Sequence, residues 1–271
     1  MATGEANNIK SSTFDLEHFE HYQLCVQFGL NQLSYCLINN RSNNVEYFNN
    51  IIVKNDIIDI INNDKILKLN FASSSVSFVN FPFTLVPNEF YKKENLKDIL
   101  KLTIDVYDII KSDPLTKINA HLVYSIPSVI NDIALTFFPN AQQTSQQKVL
   151  IEQFSKFENK KENAYLYINN NIFNLTIFKN KNLIFNNSFF FENKEDIIYF
   201  TLFSFEQHKI DAEIVNTTLY GKISEGDKTY RLLYDYIRYI KIGSPPNYLR
   251  FSSQFDRLRK NEFYPLFSQY S

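Results

Sequence analysis

The strongest constraint on the fold is an internal repeat, in which two stretches 142 positions apart begin with the same pattern. Residues 24–27 (LCVQ) align with residues 166–169 (LYIN), and Leu33-Ser34 aligns with Leu175-Thr176. Each copy opens with three runs of alternating apolar residues, followed by a helix pattern and a further strand. Solenoid repeats are shorter and more numerous than this. The sequence therefore predicts two duplicated α/β lobes.

The first copy opens with a β-hairpin pattern, in which the alternating runs 24–28 and 33–38 flank a short turn. Closing this hairpin with Phe28 opposite Leu33 places Cys25 opposite Cys36 on the neighbouring strand. These are the chain's two cysteines, and neither has metal-type spacing to another Cys or His. We therefore predict two structural thiols and neither a disulfide framework nor a metal site.

Helical spacing of apolar residues predicts the helices of the chain. Ser128 is expected to cap one helix, and Thr144 with Gln147 resembles a capping box for the next. The helix ending near Ile240 is expected to bury Tyr230 and Tyr234. The predicted helices are 57–61, 95–110, one that follows Ser128, one that follows Thr144, 194–208 and 227–240, and extended segments are predicted at 45–53, 66–71, 76–83, 120–126, 164–168, 172–178, 183–191 and 218–223.

Composition narrows the function classes without choosing one. Twenty-eight basic residues against 29 acidic ones give no overall field that favours nucleic acid or an anionic membrane. The first residues lack the apolar core of a signal peptide, and no apolar run reaches the roughly 18–20 residues that a membrane helix needs. We therefore expect a cytoplasmic protein without membrane insertion.

Short motifs give the chain a resemblance to a known class of proteins. Their order across residues 22–242 resembles an uncharacterised bacterial family with the fold of actin, the heat-shock chaperone ATPase domain and sugar kinases. This resemblance implies an α/β, duplicated actin-like ATPase (ribonuclease H-like) fold, with two lobes that each have a mixed sheet opened by a β-meander and flanked by helices. The motifs are Phe83-Thr84-Leu85-Val86-Pro87, Tyr124-Ser125-Ile126-Pro127, Lys194-Glu195-Asp196-Ile197-Ile198-Tyr199 and Tyr234-Asp235-Tyr236-Ile237-Arg238.

The expected domain organisation follows from the repeat and from changes in composition. It comprises a polar N-terminal leader at 1–21, a first lobe at 22–140, a connecting helix and loop at 141–163, a second lobe at 164–242 and an aromatic and basic tail at 243–271.

The nucleotide-handling turns of that superfamily are altered in this chain. Each phosphate turn resembles Asp-x-Gly-x-x-x-Thr in active members, where the carboxylate helps to hold the metal and the glycine lets backbone N–H groups approach phosphate. Here the first turn has Gln27 and Gly29, the second has Asn169 and Asn171, and the adenosine turn keeps the single glycine Gly221. The resemblance therefore implies degenerate turns, with no catalytic residue, no cofactor and no metal.

Three other features allow a structural and a functional interpretation. His18 and His21 could share a helical face, but a solvated segment is favoured over a metal site. The 228–260 region has eight basic residues against two acidic ones, and a solvated face is favoured over RNA binding. The apolar tail is expected to pack on its own domain in preference to a partner.

These features leave three hypotheses for function. The first is a non-catalytic scaffold that binds another protein. The second is an ATP-binding or ATP-hydrolysing protein with unusual cleft residues, and the third is an RNA-associated module that uses the basic 228–260 face. The sequence does not specify the partner or the oligomeric state.

Overall fold

The computed structural model describes residues 6–54, 56–102, 105–157 and 161–270. In chain order its strands are β1 (Ala6–Lys10), β2 (Tyr22–Phe28), β3 (Gln32–Asn39), β4 (Asn44–Ile52), β5 (Ser73–Phe78), β6 (Phe83–Pro87), β7 (Ile109–Leu115), β8 (Ala120–Ile126), β9 (Gln142–Ser145), β10 (Glu162–Asn169), β11 (Ile172–Lys179), β12 (Asn182–Phe190), β13 (Asn216–Gly221), β14 (Tyr239–Ile242) and β15 (Arg250–Phe251). Its α-helices are α1 (Ile57–Asn63), α2 (Leu96–Lys101), α3 (Ser128–Phe137), α4 (Gln146–Ser155), α5 (Lys194–Gln207), α6 (Lys228–Tyr236) and α7 (Tyr264–Phe267).

The chain divides into two units. Unit one comprises the residues up to Leu150, together with Pro246–Leu258 and Pro265–Ser271. Unit two comprises Ile151–Pro245 and Arg259–Tyr264. The C-terminal segment therefore contributes to both units.

The main sheet of unit one has the strand order β1-β4-β3-β2-β5-β9, and β15 pairs with β4. Strands β2, β3 and β4 form an antiparallel meander, whereas β5 and β9 run parallel to β2. A second, antiparallel sheet in the same unit has the order β6-β8-β7.

The predicted hairpin and its register are confirmed. Phe28 lies opposite Leu33, and Cys25 lies opposite Cys36. Both cysteines are buried free thiols. Burial raises the pKa of the Cys36 thiol well above its ordinary value, and the neighbouring Cys25 adds to the effect. Both groups therefore serve as small apolar side chains within the sheet.

Unit two has a five-stranded sheet in the order β12-β11-β10-β13-β14. Its meander, β10 to β12, is antiparallel, while β13 and β14 run parallel to β10. Apolar side chains from β10, β11, β13, α5 and α6 share one core, which includes Leu166, Leu175, Ile197, Leu219 and Leu233. Each unit therefore contains a meander that is followed by parallel strands, as the repeat predicts.

The fixed offset of 142 positions holds only for the first strand of each meander. Leu24 pairs with Leu37, and Leu166 pairs with Leu175. Equating Leu24 with Leu166 therefore equates Leu37, and not Leu33, with Leu175. The first hairpin continues to the Phe28–Leu33 pair, whereas the second closes at Asn169–Ile172. The alignment of Leu33 with Leu175 is corrected on this ground.

Several predicted elements differ from the structure. The predicted helix 95–110 is helical only at Leu96–Lys101, and Ile109 already begins a strand. Residues 103 and 104 lie outside the described residues. The segment 66–71 was predicted to be extended, but it forms turns between α1 and β5. The helix predicted at 227–240 ends at Tyr236, because Tyr239–Ile242 pairs in parallel with β13.

The predicted helix caps also need correction. The cap position of α3 is Pro127, not Ser128, and it makes no side-chain cap hydrogen bond. Thr144 belongs to β9 and donates to Asp113. Ser145 Oγ instead accepts a hydrogen bond from the backbone N–H of Gln147.

Segments near both ends of the described residues take part in the fold. The segment predicted as a polar leader includes β1, which pairs antiparallel with β4 through backbone groups that do not need apolar side chains. The aromatic tail packs on its own chain, as predicted, since Phe255, Tyr264, Leu266 and Phe267 are buried. Residues 158–160, within the predicted connecting loop, lie outside the described residues.

Candidate functional site

Each unit has its own candidate site, at the carboxyl ends of its parallel strands, where open α/β sheets place their ligands. In unit one these ends follow Phe28, Phe78 and Ser145, which are neighbours in register on β2, β5 and β9. In unit two they follow Ile168 and Gly221, which are neighbours on β10 and β13. The predicted turn residues lie at these same ends.

In unit one a row of polar side chains crosses the sheet just before its carboxyl edge. Its members are neighbours in register on five adjacent strands, so they share one face. The hydroxyl of Ser34 donates to Asn50 Oδ1 at 2.7 Å. We call this set the polar row, and it consists of Asn50, Ser34, Gln27, Ser77 and Thr144.

Gln27, which stands at the predicted carboxylate position, is the centre of this row. Its exposed fraction is 1%, and that of Ser77 is 0%. Gln27 Nε2 and Ser77 Oγ have no hydrogen-bond partner among the described residues. Gln27 is thus a buried amide inside the sheet.

The row ends at a buried carboxylate that the sequence did not single out. Asp113, on β7, accepts hydrogen bonds from Thr144 Oγ1 at 2.8 Å and from the backbone N–H of Ser145 at 3.0 Å. Burial raises the pKa of the Tyr124 hydroxyl, and the adjacent Asp113 carboxylate adds to this effect. Burial also lowers the pKa of the Lys111 ammonium, and Asp113 opposes that change. Asp113 therefore joins β7 to the end of β9.

We expect Asp113→Asn to lower the free energy of unfolding by about 2 kcal/mol, because hydrogen bonds to a buried charged acceptor are lost or weakened. Urea denaturation followed by circular dichroism measures the change. Asp132→Asn on the exposed side of α3 is the matched control, and we expect it to change stability by less than about 0.5 kcal/mol. Equal transition midpoints for the two variants would contradict a structural role for Asp113.

The first turn follows β2 directly. The backbone N–H of Gly29 donates to the carbonyl of Gln32 at 2.9 Å, which closes the hairpin. A Cβ at Gly29 would lie 3.4 Å from the carbonyl oxygen of Val79. Gly29 is therefore enclosed between its own hairpin and the end of β5.

In unit two the end of β13 is occupied by the chain itself. The backbone N–H of Gly221 donates to the carbonyl of Asn261 at 3.0 Å. In return Asn261 Nδ2 donates to the carbonyls of Gly221 and Ile223, each at 3.2 Å. Backbone groups at the predicted adenosine turn are thus bonded to a residue 40 positions further along the chain. We call this contact the Asn261 clamp.

A lysine lies over the second predicted phosphate turn. Lys222 Nζ donates to Asn170 Oδ1 at 2.7 Å and lies 3.8 Å from a carboxylate oxygen of Glu262. Burial raises the pKa of the Glu262 carboxyl, while Lys222 and Arg259 act in the opposite direction. Of the predicted turn residues, Asn169 is buried and Asn171 is exposed. An exposed ammonium group therefore lies at this turn.

An aromatic cluster packs around Tyr264, three residues after Asn261. Tyr264 contacts Tyr220 and Phe154, with ring centroids 4.2 and 5.8 Å apart. Phe154 also stacks on Tyr165 at 4.4 Å. Burial raises the pKa of Tyr220 to about 12. The tail segment that carries Asn261 is thereby fixed in the core of unit two.

The basic residues of the 228–260 region are divided between the two units. Six of its eight basic residues belong to unit two, whereas Arg250 and Arg257 belong to unit one. Arg238 lies 3.4 Å from a carboxylate oxygen of Glu213. The expectation that Tyr234 is buried is wrong, since 59% of the residue is exposed. Helix α6 is shorter than predicted, and Tyr234 lies on its outer side.

Three residues of the site were missed by sequence reasoning, namely Asp113, Lys222 and Asn261. Asp113 lay just beyond a predicted helix, where Ile109-Ile110 and Pro114 were the available signs of a strand end. No local pattern marks Asn261, because its role depends on a contact with the distant Gly221.

The sequence model of the family described as "Protein of unknown function (DUF3822)" matches residues 11–240. None of the curated proteins matches the chain significantly.

The chain is similar to a number of solved structures, including the following two. One is a protein from Bacteroides thetaiotaomicron with an actin-like ATPase fold and unknown function, with a TM-score of 0.78 and 18% sequence identity, where the match covers 86% of this chain and 94% of that one. The other is the PilM-PilN type IV pilus biogenesis complex, with a TM-score of 0.57 and 11% identity, covering 91% of this chain and 95% of that one. The predicted actin-like α/β fold is confirmed.

Among the described residues, no helix has the length and apolar character that crossing a bilayer requires.

Proposed function

This chain belongs to the DUF3822 family of proteins of unknown function, and from that premise we propose that it is a non-catalytic scaffold that binds another protein and does not bind nucleotide. The proposal has two parts. One concerns the carboxyl edges of the two sheets, and the other concerns the class of partner.

The observation that carries the first part is the Asn261 clamp. A nucleotide at the end of β13 would need the backbone groups around Gly221, and those groups are bonded to Asn261. Displacing the clamp would break three hydrogen bonds, and it would disturb the aromatic packing of Tyr264 on Tyr220. A ligand that must first displace a packed segment binds more weakly by the cost of that displacement.

The turns support the same conclusion. The triphosphate–magnesium pair requires carboxylate and backbone N–H groups that are open to it. In unit one the corresponding side chain is the buried amide of Gln27, and in unit two the turn carries the Lys222 ammonium in contact with Asn170. The Gln27 amide supplies no charge to balance a metal ion, and the Lys222 ammonium already donates to Asn170 and lies 3.8 Å from a Glu262 carboxylate oxygen.

The second part concerns the partner. The PilM-PilN structure, which has a similar fold, is itself a complex of two proteins. The near balance of 28 basic and 29 acidic residues gives no strong field for a polyanion. We therefore propose a protein as the partner.

Calorimetric titration with Mg-ATP tests the first part, and we expect no binding heat up to millimolar nucleotide. A known actin-like ATPase, measured in the same buffer, is the positive control. Because a competent site binds nucleotide far more tightly, a dissociation constant in the micromolar range would contradict the proposal. Phosphate release that is abolished by Lys222→Ala would establish the enzyme hypothesis in its place.

Affinity purification of the full chain from its native cell tests the second part. We expect one protein to be recovered in stoichiometric amount, before and after nuclease treatment. Recovery that depends on RNA, with an affinity that falls steeply as salt rises, would instead support the RNA hypothesis.

A further inference from the structure

A short segment before β2 brings two imidazoles and a carboxylate together. Residues Leu16–His21 form a 3-10 segment, and His18, Glu20 and His21 project their side chains to one place. His18 Nδ1 lies 3.5 Å from Glu20 Oε1, and His21 Nε2 lies 3.7 Å from the same oxygen. The chain has four histidines, and two of them meet here with ring centroids 5.5 Å apart.

We propose that His18, Glu20 and His21 bind a divalent transition-metal ion of the zinc class. All three ligand atoms lie within 4.8 Å of one another. Zinc holds imidazole nitrogen and carboxylate oxygen at about 2.0–2.2 Å in tetrahedral geometry, which separates its ligand atoms by about 3.3–3.5 Å. The His18–Glu20 separation of 3.5 Å lies at the upper end of that range, the His21–Glu20 separation of 3.7 Å lies just above it, and the two imidazole nitrogens lie within 4.8 Å of each other. Side-chain rotations of the two histidines therefore close the site.

The backbone on both sides of the cluster is fixed, which reduces the ordering cost of binding. The side chain of Asp15 caps the start of the segment by accepting from the backbone N–H of Glu17 at 2.9 Å. At the other end, the carbonyl of His21 accepts from the backbone N–H of Asn40 at 2.9 Å. The dihedral angles of His18 depart from the helical region (φ −113°, ψ 40°), and this kink turns the segment at the cluster.

The chemistry of the set favours a cation with an affinity for nitrogen. Two neutral imidazoles and one carboxylate supply a single negative charge, which suits zinc and its neighbours better than the oxygen-seeking calcium or magnesium. Glu20 is exposed, and His21 is half-buried, so water completes the coordination. A metal ion would thereby tie the segment to the start of β2.

Calorimetric titration of the full, tag-free chain with ZnCl₂ tests the proposal, and we expect one ion per chain. Glu20→Gln and His21→Asn should each weaken binding at least about 10-fold, since each removes one of three ligands. Glu17→Gln, which changes a carboxyl in the same segment, and His121→Asn, which changes a histidine elsewhere, are the matched controls. Each should change affinity by less than about twofold.

Three outcomes would overturn the proposal. The first is the absence of zinc binding below millimolar concentration. The second is equal weakening by Glu17→Gln and Glu20→Gln, which would indicate non-specific charge attraction. The third is a sulfur-to-cobalt charge-transfer band when Co²⁺ replaces Zn²⁺, which would assign the ion to Cys25 or Cys36.

Discussion

Replacing Gly221 with alanine is expected to lower the free energy of unfolding by about 2–5 kcal/mol. Gly221 has a φ of +93°, and a Cβ there would lie 1.9 Å from the carbonyl oxygen of Ile168. The left-handed backbone alone costs an L-residue roughly 1–2 kcal/mol, and overpacking typically adds 1–3 kcal/mol. The oxygen of Ile168 cannot move away easily, because it accepts a hydrogen bond from the backbone N–H of Lys222 at 2.7 Å.

Urea denaturation of Gly221→Ala and Gly226→Ala provides the measurement and its control. Gly226 lies in the loop between β13 and α6, and a Cβ there would meet no atom within 4 Å. We expect its replacement to change stability by less than about 0.5 kcal/mol. Equal transition midpoints would mean that the end of β13 is not fixed as described.

The strained position of Gly221 also explains why this residue is a glycine. In the resemblance to actin-like proteins, Gly221 stands for the adenosine turn. The close approach to Ile168 gives a second reason for a glycine, because the chain must bend at this pair of strands whether or not a nucleotide binds. The residue therefore carries no weight as a sign of nucleotide chemistry.

Alternation and strand pairing were the parts of the fold most open to prediction. The strand Ala120–Ile126 and the register of Cys25 opposite Cys36 follow from local patterns, because side chains alternate with a period of two along a strand. The prediction of one helix over 95–110 was wrong, because the helix ends at Lys101. Val106 and Ile110 fall near the helical spacing set by Leu96 and Leu100, although they lie beyond that end. Short apolar runs do not separate helix from strand.

The candidate site was less open to prediction, because its contacts join residues that are distant in sequence. The resemblance identified the turn residues, but it did not predict that Gln27 and Asn169 are buried. Asp113 bonds to Thr144 across 31 positions, and Asn261 bonds to Gly221 across 40. Hydrogen-bonding side chains of this kind have no periodicity, so their partners emerge only from the tertiary structure.

Phe267→Ala is expected to lower the free energy of unfolding by about 3–5 kcal/mol, the usual cost of removing a buried ring. Phe267 is fully buried. Its ring centroid lies 6.0 Å from that of Phe48 on β4 and 5.1 Å from that of Phe251 on β15. The C-terminal segment therefore completes the core of unit one, and its loss leaves a cavity against the sheet.

The control for this change is Phe90→Ala, since 65% of Phe90 is exposed in the same unit. We expect it to alter stability by less than about 0.5 kcal/mol. A double-mutant cycle with Phe48→Ala should give a coupling of about 0.5–1.5 kcal/mol if the two rings contact each other. If the tail served to dock on a partner, Phe267→Ala would leave the isolated chain as stable as the wild type and would weaken only the complex. A large loss of stability in the isolated chain therefore separates self-packing from docking.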